Sequence, residues 1–178
     1  MTDKPALRAR LRARRAAASG PPIPVWPTFV ERLSPGLVVA SYIPTGSEAD
    51  PVALVEAALM AGCRLALPHV VDKATPMRFL AHAGDHALVP GPFGLRQPAA
   101  IAPDMEPDII LTPLLAFDRS GNRLGQGAGH YDRAFAAHPE AWRVGVAWSV
   151  QEVDALVADA WDVPLHAIAT ECEWIVAS

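Results

Sequence analysis

The sequence is short of cysteine, of long apolar runs and of the usual phosphate-loop ending, and each shortage removes a class of protein. Its two cysteines, Cys63 and Cys172, stand far apart and outside any metal-ligand spacing. That excludes a disulfide framework or a cysteine-based zinc site and suits reduced, partly buried thiols of a cytoplasmic protein. No apolar run approaches the ~20 residues that a bilayer span needs, and the arginine-rich start has no apolar segment behind it, so a soluble, unexported protein with no membrane partner is expected. There is no internal repeat, low-complexity tract or long linker. With 178 residues, 51% of them hydrophobic, the chain is expected to fold as one domain over 1–178 and to act as a monomer.

Formal net charge is −4, yet the first fifteen residues carry Lys4, Arg8, Arg10, Arg12, Arg14 and Arg15 against Asp3. Ala6, Leu7, Leu11, Ala16 and Ala17 interleave with these cations at helical spacing, so 1–18 reads as a basic amphipathic helix docked on the domain. The acidic remainder of the chain argues against a nucleic-acid partner.

The centre of the sequence is residues 107–135, PDIILTPLLAFDRSGNRLGQGAGHYDRAF. Its apolar run over 109–116, bounded by Pro107 and the turn cluster at 118–122, fits a strand buried on both faces. Gly125, Gly127 and Gly129 then alternate with Gln126, Ala128 and His130 before a helical stretch over 131–137. A helix start leaves N–H groups unpaired and carries partial positive charge, while glycines let backbone approach a phosphate. The segment lacks the GK[ST] ending of a P-loop and the glycine spacing of a dinucleotide fingerprint. Spacing alone leaves phosphate binding and a plain tight connection both open.

The string LAFDRSGNRLGQGAGHYDR resembles the signature of the 5-formyltetrahydrofolate cyclo-ligase family, also called 5,10-methenyltetrahydrofolate synthetases. The resemblance extends from Lys4 to Glu171, and Lys4-Pro5-Ala6-Leu7-Arg8 is similar to the family's opening Lys-x-x-Leu-Arg helix. It implies ATP binding by Lys4, Pro5, Ala6, Leu7 and Arg8, and by Leu124, Gly125, Gln126, Gly127, Ala128, Gly129, His130, Tyr131 and Asp132. It further implies Ile43, Glu48, Phe79 and Tyr131 as contacts for 5-formyltetrahydrofolate, Arg123 and Tyr131 as catalytic, and Asp132 and Asp162 as carboxylates for Mg2+. By position alone, Glu48 and Asp132 are equally well helix N-terminal charges. His130 stands where the family has tyrosine, and a protonated imidazole beside phosphate predicts nucleotide affinity that rises as pH falls. His69, where the family has lysine, reads as a surface or satisfied residue.

The implied reaction is ATP-dependent cyclisation of 5-formyltetrahydrofolate to 5,10-methenyltetrahydrofolate, the alternative being a related nucleotide- or folate-binding protein without turnover. Beyond the motif, strands are predicted over 37–43, 64–67, 76–80, 143–148 and 166–171, with helices over 51–61 and 153–160 and a short helical piece over 28–33. The strand-helix-strand rhythm argues for a three-layer α/β domain with a mostly parallel central sheet. Its ligands are expected beyond the carboxyl ends of the strands, where Glu48, Phe79 and the glycine loop should converge.

Overall fold

The computed structural model describes residues 4–18, 20–83 and 87–178, with Lys4 represented by its backbone only. The chain runs through α1 (Lys4–Ala16), α2 (Pro27–Val30), β1 (Val38–Ala40), α3 (Val52–Met60), β2 (Arg64–His69), β3 (Arg78–Ala81), β4 (Val89–Pro90) and β5 (Arg96–Gln97). It continues through β6 (Ile109–Pro113), β7 (Ala116–Phe117), β8 (Arg123–Leu124), α4 (His130–Ala137), β9 (Trp142–Val146), β10 (Ala167–Ala169) and β11 (Trp174–Val176). Seven strands form the central sheet in the order β11-β10-β9-β6-β1-β2-β3. Every pairing from β10 to β2 is parallel, and the edge strands β11 and β3 are antiparallel to their neighbours.

Apolar side chains on both faces explain why the central strands read as continuous hydrophobic runs. Val39, Ile109, Leu111, Val144 and Val146 point to one side and pack with Phe29 of α2 and Leu54 and Ala58 of α3. Their strand neighbours Val38, Ala40 and Ile110 point to the other side, with Ala134 and Phe135 of α4. Alternation along each strand thus divides the residues between two cores, giving a sheet with helices on both faces, the α/β class expected. Each fully buried Leu, Ile or Phe stabilises by ~1.5–3 kcal/mol. Leu54, Ile110, Leu111 and Phe135 hold both helical layers on that basis.

α1 lies elsewhere. Leu11, with the half-buried Leu7, packs on Leu115, Ala116 and Leu124 of the β7–β8 hairpin and on Val153 and Leu156. That hairpin is absent from the sequence reading, which ended the buried strand at Ala116. Asp118, 4% exposed, builds its turn: Oδ1 accepts the Ser120 and Asn122 N–H groups at 3.0 Å, and Oδ2 accepts Asn122 Nδ2 at 3.0 Å and the Leu156 N–H at 2.9 Å. Gly121 is required there, since φ is +82° and a Cβ would sit 2.4 Å from the Leu165 carbonyl oxygen.

The helix expected over 153–160 does not form. Val153 N–H is given to the Phe117 carbonyl and Leu156 N–H to Asp118, so the segment spends its donors on the hairpin instead of on a helical ladder. β2 continues through Pro68 to His69, where a loop was expected, and β3 runs antiparallel to it. The loop read over 91–98 includes β5 of a β4–β5 hairpin, and β11 is additional. Cys63 is buried and Cys172 exposed.

Candidate active site

The glycine loop 125–129 joins β8 to α4. Gly127 at φ +104° and Gly129 at φ +66° take left-handed conformations that side chains resist. Gly129 occupies the N-cap of α4, and among the described residues no side chain caps that helix, so its first-turn N–H groups face the loop without a carboxylate or hydroxyl cap. α1 lies against this loop. Arg8 Nε donates to the Gly125 carbonyl at 3.1 Å, its guanidinium would lie 3.3 Å from a Cβ on Gly127, and Arg12 Nε donates to Gln126 Oε1 at 2.9 Å. The structure therefore brings Arg8 and Gly125 to Gly129 together. Pro5 and Ala6 lie on the exposed part of α1, and the Lys4 side chain lies outside the described residues.

On the other side of the loop, Arg133 ties three segments together. Its Nη1 donates to the Ala128 carbonyl at 3.1 Å and its Nη2 to the Lys73 carbonyl at 2.9 Å, with His130 Nδ1 at 3.1 Å from Nη2. An imidazole accepting at Nδ1 carries its proton on Nε2. Nε2 of His130 and Nε of Arg133 are both buried with no hydrogen-bond partner among the described residues. They are two donors beside a glycine loop, a set that suits an anion. Burial, followed by the Arg133 charge, lowers the His130 pKa, with Asp72 opposing. In the unliganded chain His130 is therefore favoured neutral, whereas the expected protonation is that of an imidazole beside bound phosphate.

Arg123 and Asp132 form an ion pair, Nη2 to Oδ1 at 2.5 Å, with the Arg123 side chain 6% exposed. Arg123 Nη1 donates to the Val163 carbonyl at 2.6 Å, and the guanidinium lies 4.4 Å from the Phe135 ring centroid. Burial lowers the Arg123 pKa while Asp132 and then Asp162 raise it; a guanidinium stays charged regardless. Both predicted metal carboxylates therefore act on Arg123. Asp162 also accepts the Asp159 N–H at 2.7 Å through Oδ2. Among the described residues no three His, Cys, Asp or Glu side chains assemble as a metal cage. That donor set fits Mg2+ as an ion borne by substrate phosphates with one or two carboxylates, the usual habit of this cation.

Of the remaining predicted residues, Ile43 and Glu48 lie in the loop after β1, Tyr131 on α4 and Phe79 on β3. Glu48 accepts the Thr45 N–H at 2.9 Å and Thr45 Oγ1 at 3.2 Å through Oε2. Its Oε1 lies 3.7 Å from Nη1 of Arg15, a residue that motif reading passed over. Tyr131 packs edge-on to Phe135 with centroids 6.1 Å apart. Burial and then Glu48 push its phenol well above the usual range, against Arg123, so the hydroxyl is a donor and not a base. The charges of Glu48 and Arg123 thus both act on Tyr131. Ile43 is half-buried in the same β1 loop. Phe79, 2% exposed, is a core residue of β3 in the cluster against which Tyr131 packs, with His138 at 5.8 Å, so it has almost no free surface. His69 is buried and satisfied, its Nδ1 3.0 Å from the Pro98 carbonyl.

Arg12, Arg15 and Gln97 were missed. Gln97 pairs through its amide with both Val70 backbone groups, at 3.0 and 3.1 Å, pinning the β4–β5 hairpin to the end of β2. Only Arg15 left a signal, since Arg8, Leu11 and Arg15 share one helical face at i, i+3 and i+7. A cavity of about 570 Å³ near the starts of β9 and β10, lined by Arg32, Trp142 and His166, shares no lining residue with the cluster above.

A parallel sheet whose strand ends carry a glycine loop, a docked basic helix and a buried carboxylate defines an α/β protein with a site suited to an anion at a topologically usual place. A model of the 5-formyltetrahydrofolate cyclo-ligase family matches residues 30–171. The chain is 36% identical over 150 residues to the 5-formyltetrahydrofolate cyclo-ligase of Mycolicibacterium smegmatis, across 80% of this chain and 77% of that one. It is 34% identical over 139 residues to the Escherichia coli K12 protein of the same name, across 74% and 76%. Its fold is similar to that of Aquifex aeolicus 5,10-methenyltetrahydrofolate synthetase, with a TM-score of 0.77 and 29% identity over 98% of this chain and 92% of that one. The chain belongs to the 5-formyltetrahydrofolate cyclo-ligase family, a family of ligases. The matched segment begins after α1, so the docking of Arg8 on the loop is an independent observation.

Proposed function

We propose that the chain cyclises 5-formyltetrahydrofolate to 5,10-methenyltetrahydrofolate at the expense of ATP, with release of ADP and phosphate. The observation that carries this reading is the meeting of two unlike subsites at one end of the sheet. One is cationic and glycine-rich, with Arg8 on Gly125–Gly127; the other holds Glu48 and Tyr131. Phosphate suits the first. Glu48 suits the paired N–H donors of a pterin edge, with Ile43 and Phe79 supplying apolar walls.

A formamide resists attack because its nitrogen donates into the carbonyl, and hydroxide is a poor leaving group. The formyl oxygen attacks the terminal phosphorus and ADP departs. The nitrogen at position 10 then adds to the activated carbon and loses its proton, and phosphate leaves with the bonding electrons of the C–O bond. Such chemistry asks the protein for positioning and charge neutralisation more than for covalent help. The loop backbone from Leu124 to Asp132, with Lys4 and Arg8, holds the triphosphate. Arg123 faces the transferred charge, and the protonated Tyr131 hydroxyl donates a hydrogen bond to the reacting oxygen. Asp132 and Asp162 would hold a magnesium ion that neutralises phosphate charge when bound.

The charges of α1 turn inward to the loop at Arg8 and Arg12, which supports a small-molecule partner over a nucleic acid. Among the described residues no helix is long and apolar enough to cross a membrane. We place the enzyme in the cytoplasm as a monomer with one domain. ADP release measured with and without 5-formyltetrahydrofolate tests the reading: release that depends on the folate supports it, whereas binding of both ligands without release makes the chain a binding protein.

A further inference from the structure

We propose that Arg15 is a positioning residue for folate recognition, holding the Glu48 carboxylate and making α1 common to the nucleotide and folate subsites. This rests on the reading of Glu48 as the folate contact. The Arg15 side chain is 6% exposed and that of Glu48 9%. Among the described residues, the hydrogen bonds and ion pair of the Arg15 side chain lie at the strand ends: Nε donates to Ser47 Oγ at 3.1 Å, Nη1 donates to the Leu114 carbonyl at 3.2 Å, and Nη1 lies 3.7 Å from Glu48 Oε1. The guanidinium thus bridges the loop after β1, which carries Glu48, and the loop after β6. Glu48 Oε2 is fixed by Thr45, so the two carboxylate oxygens have different anchors, one local and one from α1.

Arg8 and Arg15 are seven residues apart on one helical face, about 10 Å along the axis at the usual rise. One rigid element therefore carries the cation on the glycine loop and the cation on Glu48. A ligand that draws α1 onto the loop through Arg8 also seats Arg15, and linkage requires the converse. Stability alone is a poor reason for such a pair, because buried ion pairs are often replaced by apolar residues without loss.

The test compares Arg15→Met, Arg15→Lys, Glu48→Gln and Arg15→Met/Glu48→Gln with the unsubstituted chain. Dissociation constants are measured for 5-formyltetrahydrofolate and for a non-hydrolysable ATP analogue, separately and together. Arg15→Met should weaken folate binding about ten-fold, the loss expected for a displaced charged hydrogen-bond acceptor, and leave the analogue within about two-fold when measured alone. In the unsubstituted chain each ligand should tighten the other by about five-fold or more, and this factor should collapse towards one in Arg15→Met. Arg15→Lys should recover part of both effects, and adding Arg15→Met to Glu48→Gln should cost little more folate affinity. Normal folate affinity in Arg15→Met overturns the proposal, as does equal loss of both ligands, which would mean that α1 has simply come away. Failure of the unsubstituted chain to bind 5-formyltetrahydrofolate is a different result. It overturns the cyclo-ligase reading itself, whatever the Arg15 variants do.

Discussion

Replacing Asp118 by Asn would test whether one buried carboxylate holds the hairpin that carries Arg123. In the native chain four donors converge on it at 2.9–3.0 Å, two on each oxygen. An Asn side chain has one oxygen, and whichever way the amide turns, its NH2 group meets two donors. Two bonds to a charged acceptor are lost, and the groups that made them lie partly buried. Such bonds contribute ~1.5–3 kcal/mol each, so a cost of about 3–5 kcal/mol is expected after partial relaxation. That is a large part of the ~5–15 kcal/mol available to a domain, and corresponds to a fall in Tm of about 6–20 °C for a chain of this size. Urea unfolding followed by tryptophan fluorescence would measure it. Because Arg123 leaves the same hairpin to meet Asp132 and Val163, the turnover number should fall well before the protein unfolds. A Tm within about 2 °C of the native value with unchanged turnover would refute the assignment of Asp118 as the hairpin's anchor.

The glycine loop, α1 and the histidines give further tests. Gly127→Ala combines a left-handed residue, costing ~1–2 kcal/mol, with a methyl group 3.3 Å from the Arg8 guanidinium, so the Michaelis constant for ATP should rise about ten-fold with little change in that for folate. Arg8→Ala should raise the Michaelis constant for ATP likewise, while the exposed Arg14→Ala should not; equal losses would point to diffuse electrostatics. His130 and His166 both have pKa values lowered by burial and then by arginine, so the unfolded chain binds more protons than the folded one below ~6.5. Stability should therefore be full above that pH and decline on acidification, and the decline should be shallower in His130→Gln; parallel urea curves for the two proteins at pH 7.5 and 5.5 would exclude His130. Chelation by EDTA should stop ADP release while folate binding, measured by calorimetry, persists.

The buried runs 109–113 and 142–146, the glycine alternation at 125–129 and the long family string were legible because each is a local pattern. Period, turn chemistry and backbone freedom are written into adjacent residues. Even so, local pattern predicted a helix over 153–160 that tertiary bonding overrode, when Phe117 and Asp118 claimed the segment's N–H groups. His130 shows the same limit at a single atom. Its identity was plain in the sequence, but the direction of its pKa depended on Arg133 and on burial, which belong to packing. Arg15 is the clearest case. In the sequence it is one of six cations in a basic arm, indistinguishable in charge from Arg14 beside it. Only the docking of α1 turns Arg14 to solvent and buries Arg15 against Glu48, because a helix separates adjacent side chains by about 100° and the apolar stripe of Leu7 and Leu11 chooses which face goes in.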